Sequence, residues 1–171
     1  DAVCKRILTQ LVAQFDGSIF QQTRYQLHLL TVRGVGALAH PQRGHALGFG
    51  KAVAANWLAR RHLGRSLERV AFHHGRPLHF LPASEAAYQS FDLLPTRNVP
   101  LTPANLQPVL AASGAIPLLI SPQHTIHGAP AGPYWDGGIY SNTPIEAVLD
   151  DKPRKDSVIF AVQMWNPGGP D

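Results

Sequence analysis

The residues best suited to chemistry lie in one stretch, Tyr134-Trp135-Asp136-Gly137-Gly138-Ile139-Tyr140-Ser141-Asn142-Thr143-Pro144. Two aromatics deliver a carboxylate onto a pair of glycines. Glycine accepts positive φ and carries no side chain to crowd a reacting group, so an acid beside Gly-Gly stands on a turn with open space around it. Thr143-Pro144-Ile145-Glu146 then reads as a helix start, with Thr143 as N-cap, Pro144 at the first helical position and Glu146 closing a capping box. On these residues alone the stretch is either a plain surface turn between a strand and a helix or a rigid mount for a catalytic carboxylate.

A carboxylate base needs a nucleophile to serve. The G-x-S-x-G elbow that lifts a serine onto a sharp strand-to-helix turn does not occur in the chain. Ser113 sits in Ala-Ala-Ser-Gly-Ala, lacks the first glycine and follows a predicted helix, and Ser141 lies outside any elbow. The chain thus offers a base without an obvious partner.

Two other chemistries were weighed. The nine histidines include His73-His74 with His79, and His124-x-x-His127, but neither group has a carboxylate at a recognisable metal offset. Gly34-Val35-Gly36-Ala37-Leu38-Ala39 is formally a dinucleotide fingerprint, which must open a helix onto a pyrophosphate. Pro41 and Gly44 break any such helix, and the span from Lys51 to Arg61 holds no acid for a ribose. A loop leaving a strand is the better account, and no metal or cofactor is expected.

The elements that must position the acid follow from hydrophobic spacing. Val3, Ile7, Leu8, Leu11, Val12 and Phe15 recur at helical intervals, and the run from Tyr25 to Val32 reads as a buried strand ending at Arg33-Gly34. Residues 47–63 form an alanine-rich helix with Lys51, Arg60, Arg61 and Arg65 crowding its end, either a solvated basic end or an interfacial one meeting anionic lipid. The segments 69–74 and 77–81 flank Gly75-Arg76 as a tight antiparallel hairpin, with Val70, Phe72, Leu78 and Phe80 inward. Thr102-Pro103 starts a helix that runs to Ser113-Gly114, where Pro108 predicts a kink or early break. Residues 157–164 are a near-continuous apolar run, the pattern of a strand buried on both faces. Helices alternating with buried strands predict a layered α/β domain.

Composition sets the outer limits. A chain of 171 residues, 44% hydrophobic and 15% charged, fits one globular domain. No window approaches the ~18 apolar residues of a membrane span, and no signal peptide is visible. The chain begins at Asp1 rather than Met, so it is expected to be a cropped piece. The lone Cys4 excludes an internal disulfide and suits a reducing compartment. A net charge of +4 favours anionic surfaces, but no basic motif interleaved with aromatics marks a nucleic-acid reader.

Ala112-Ser113-Gly114-Ala115-Ile116-Pro117, then Tyr134-Trp135-Asp136-Gly137-Gly138 and Asn142-x-Pro144, resemble the C-terminal half of a patatin-like phospholipase domain. The detailed likeness covers roughly residues 100–165. It implies a three-layer α/β/α fold whose sheet is mostly parallel with an antiparallel hairpin, incomplete at the N-terminus. Residues 1–171 would be the C-terminal portion of a single domain. The resemblance also implies a lipid acyl hydrolase with a serine–aspartate dyad, Asp136 being the base and Ser113, Pro117 and Asn142 structural supports. The family's Gly-rich oxyanion loop and its serine are absent, so the nucleophile is expected from an N-terminal part of the same protein. The chain alone is expected to be inactive. Expected partners are a phospholipid or other acyl-ester lipid and a peripheral membrane surface, with no nucleic acid. A cytoplasmic or membrane-peripheral location follows. The alternative is an inactive membrane- or protein-interaction module of the same fold.

The dyad has a physical logic. A serine hydroxyl attacks poorly unless a positioned base takes its proton. Aspartate, with a free pKa of ~4, is a weak base and needs partial desolvation and close geometry. A turn between aromatics and glycines suits both needs.

Overall fold

The computed structural model describes residues 2–14, 20, 26–39, 67–77, 96–117, 119–139, 145 and 158–160. The helix expected at 47–63, residues 78–81, and the turn residues Ser141, Asn142, Thr143 and Pro144 lie outside the described residues. In chain order the elements are α1 (Ala2–Gln14), β1 (Leu27–Gly34), a 3-10 turn at Gly36–Leu38, β2 (Leu67–His74), β3 (Thr96–Pro100), α2 (Pro103–Ser113), β4 (Tyr134–Asp136) and a second 3-10 turn at Gly137–Ile139.

The strands form one mixed sheet in the order β3-β2-β1-β4. β2 and β3 are parallel, and β1 runs antiparallel to both β2 and β4. Three strands therefore share one direction and β1 is the reversed one among them. The antiparallel neighbour of β2 is β1, paired from Leu27↔His74 to Gly34↔Leu67, rather than a second arm beyond Gly75-Arg76. β3 occupies the opposite edge of β2 from Arg69 to His73, so backbone donors and acceptors over that span are already taken. The second arm expected at 77–81 lies, apart from Pro77, outside the described residues. The loop reading of the Gly34–Ala39 stretch holds: β1 gives way to a single short turn, with Gly36 at φ 56.

Register alternation assigns the two faces of the sheet. Val70, Phe72, Val99 and Tyr134 point to the face on which α2 packs, where Leu106, Val109 and Ala112 complete the main core. α1 lies against α2, with the Gln107 amide donating to the Thr9 hydroxyl at 2.7 Å. On the other face Val32, Leu67, Ala71 and Trp135 are buried as well. A sheet buried on both faces is what a three-layer α/β domain requires.

α2 begins where its caps say. The Thr102 N–H donates to Asn105 Oδ1 at 2.8 Å. The Asn105 amide in turn donates to the carbonyls of Pro100, at 3.0 Å, and His127, at 3.1 Å, tying the end of β3 to the following loop. Pro108 does not break the helix, which continues to Ser113. The carbonyl that Pro108 leaves without an N–H belongs to exposed Ala104, where water can serve it.

One end of this face is polar. Glu68 stands directly across from Arg33 and receives its Nε at 2.9 Å and its Nη2 as well, while Arg97 Nε donates to the other oxygen at 2.8 Å. Arg33 spends its remaining nitrogen on the Ala131 carbonyl at 2.9 Å. Glu68 and Arg33 are nearly buried, so removing the carboxylate charge strands a guanidinium in low dielectric. Glu68→Gln is expected to lower unfolding free energy by ~3 kcal/mol, read from the urea midpoint at unchanged m-value.

Tyr134 neighbours this cluster. It is 0% exposed, packs its ring near Phe72 and donates its hydroxyl to the Pro130 carbonyl. Burial pushes its phenol up to about 12, partly offset by the positive charge of Arg33. The folded pKa lies above the free value of ~10, so this contribution to stability is intact below pH ~10 and is lost as pH rises through ~12. An alkaline fall in stability across that window, of order 2 kcal/mol, is expected in the native chain. It should shrink in Tyr134→Phe, as equilibrium unfolding at pH 9, 10.5 and 12 would reveal.

Of the strand expected at 157–164, only Val158, Ile159 and Phe160 are among the described residues; they are irregular and exposed, Val158 at 81% and Phe160 at 87%.

Candidate active site

β4 is three residues long because both its edges are used. β1 pairs one edge, Thr31↔Asp136 and Arg33↔Tyr134. On the other, the Tyr134 N–H donates to the Gln123 carbonyl at 2.7 Å and the Gln123 N–H returns to Tyr134 at 3.1 Å. The Asp136 N–H then donates to the Ala115 carbonyl at 3.2 Å. Asp136 is thereby fixed between the sheet and the residue just beyond the end of α2.

Its side chain is set by the turn that follows. The Gly138 N–H donates to Asp136 Oδ1 at 2.8 Å, the local bond by which an aspartate pins its own rotamer to the backbone two residues on. Among the described residues Oδ2 has no partner, and the side chain is half-buried. One oxygen is tethered and, among the described residues, the other is not.

Gly137 explains why this turn can exist. A Cβ built there would lie 2.5 Å from the Leu30 carbonyl oxygen and 2.8 Å from its carbon. The obstacle is backbone of the adjacent strand, which cannot swing aside. The need is for close approach, not for positive φ: the positive-φ glycines among the described residues are Gly36, Gly75, Gly128 and Gly132.

The supporting residues read from sequence separate clearly. Ser113 Oγ donates to the Leu110 carbonyl at 3.0 Å, a bond back into its own helix, and makes no bond to Asp136. Pro117 is buried in the turn after α2. Neither has the geometry of a nucleophile. What sequence reading missed is the Ala115 carbonyl and the Leu30 carbonyl, because backbone contacts leave no mark on residue type. Among the described residues no group of three His, Cys, Asp or Glu side chains gathers where it could hold a metal. No helix of the described residues is long and apolar enough to cross a membrane.

A mixed α/β sheet, buried on both faces and presenting a tethered carboxylate on a glycine turn at a strand end, defines a layered α/β domain. Residues 13–149 match the patatin-like phospholipase family model, and the chain belongs to that family. As a class the family consists of lipid acyl hydrolases. No curated protein and no solved structure matches the chain.

Proposed function

We propose that this chain contributes the base half of a serine–aspartate dyad in an enzyme that cleaves acyl esters of phospholipids or similar lipids. The observation that carries the reading is the Asp136 side chain, with Oδ1 held by the Gly138 N–H at 2.8 Å and Oδ2 without a partner among the described residues. In the reaction, Oδ2 accepts the serine hydroxyl proton as the oxygen attacks the ester carbonyl. The same proton passes to the leaving alkoxide as the acyl-enzyme forms. Water then attacks that acyl-enzyme with Asp136 again taking the proton and returning it to the serine oxygen as the ester bond to serine breaks and a fatty acid leaves.

Tethering one oxygen matters because a base must lie within hydrogen-bond reach of the proton it takes, and a freely rotating carboxylate spends little time there. The serine and the N–H donors for the oxyanion come from outside residues 1–171 in this reading, since no G-x-S-x-G occurs within them. The test is free fatty acid release from phospholipid by a protein spanning both the elbow serine and Asp136, beside this chain alone. Release by the former and none by the latter is expected. Absence of release from every acyl ester tried, with the serine present and the protein folded, would refute the hydrolase reading.

A further inference from the structure

The loop that clamps Asp136 has a surface of its own. Ile116 is 40% and Leu119 77% exposed, one to four residues beyond the carbonyl that holds the Asp136 N–H. The Leu119 and Ile120 N–H groups donate to the Ile116 carbonyl at 3.2 and 2.9 Å, so these backbone donors are satisfied inside the loop and need no water. The sequence span that carries it is free of formal charge: from Asn98 to Trp135 there is no Lys, Arg, Asp or Glu. The titratable side chains of that span besides Tyr134 are His124 and His127. The guanidinium that reaches it, Arg33 at the Ala131 carbonyl, is already neutralised by Glu68.

We propose that Ile116 and Leu119 form the lip through which the candidate site meets a lipid surface, inserting among acyl chains beside Asp136. The proposal deepens the hydrolase reading and rests on it for the choice of lipid as occupant. Burying exposed apolar side chains favours transfer to the interface, while a charge in the inserted patch would oppose it through desolvation. This patch has the first property and lacks the second. Four other exposed apolar residues among the described ones do not combine these features. Val3 and Ile7 share α1 with Lys5 and Arg6, and Val158 and Phe160 follow Lys155 and Asp156 in sequence. A contact of this kind is apolar, in contrast with the electrostatic attachment that the net charge of +4 would give.

The experiment is flotation of this chain with neutral phosphatidylcholine vesicles at low and high salt. Binding to neutral vesicles, unchanged by salt, is expected. Leu119→Asp should lower the partition coefficient at least tenfold with an unchanged circular dichroism spectrum. Leu119→Trp should keep binding and show a blue-shifted fluorescence on vesicle addition. Phe160→Asp should bind as the parent chain does, and because binding is read without turnover the result is independent of whether Asp136 is catalytic. Failure to bind neutral vesicles would overturn the proposal. So would binding restricted to anionic vesicles and lost in salt, or binding unaffected by Leu119→Asp.

Discussion

Gly137→Ala is expected to damage both stability and turnover. The added methyl would sit 2.5 Å from the Leu30 carbonyl oxygen, closer than carbon and oxygen can stand without bonding. Relief requires the 3-10 turn to lift away from β1, because the obstacle is main chain in the middle of a ladder rather than a side chain with other rotamers. Overpacking of this kind costs ~1–3 kcal/mol in a well-packed interior. The same displacement moves the Gly138 N–H off Asp136 Oδ1, and misplacing a catalytic group by ~1 Å can lose about a hundredfold in rate. Gly114→Ala is the matched control. Its Cβ would meet nothing nearer than the Leu110 carbonyl at 3.8 Å, ordinary contact, so stability should hold within ~0.5 kcal/mol. Chemical denaturation of the pair separates the steric account from any general intolerance of alanine near the site.

Asp136→Asn is expected to remove ester hydrolysis while leaving the fold intact. Asparagine keeps an oxygen for the Gly138 N–H, and the backbone bonds to Ala115 and Thr31's strand do not involve the side chain. What it loses is the anionic oxygen that, in the proposed reaction, takes the serine proton. General-base assistance is worth ~10²–10⁴-fold, and members of a catalytic unit fail together, so a drop of ~10³-fold or more in kcat is expected. KM should change little, because the lost interaction is made as the proton moves rather than as substrate binds. Equal melting temperatures with a collapsed rate would assign the side chain to chemistry. A large loss of stability would assign it to the turn instead.

Local features of this fold were legible in the sequence; long-range ones were not. α2 could be read because its signals are neighbours: Thr102-Pro103 at its start, Gly114 at its end and apolar positions between. β1 was legible as an apolar run ending at a glycine. The partner of β2 was not, because Gly75-Arg76 is a local turn signal and says nothing of the stronger pairing with residues far upstream. Glu68 between Arg33 and Arg97 was hidden for the same reason, since only register brings those three together. The Asp136 turn stood out by residue type, yet the reason Gly137 must be glycine lies in Leu30, a residue from another strand. Val158 to Phe160 shows the limit of reading burial from apolar content, since all three are exposed.

The central claim is that Asp136 takes the proton of a serine nucleophile. The most direct measurement is the rate at which a fluorophosphonate ester labels that serine in the protein containing it, with and without Asp136→Asn. Fluorophosphonates react through the same attack by an activated hydroxyl and need no lipid surface, so interfacial binding does not enter the result. Labelling slowed at least a hundredfold in the variant, at unchanged folding, is the expected outcome. Labelling at the wild-type rate would show that the serine has another base and that Asp136 only shapes the turn.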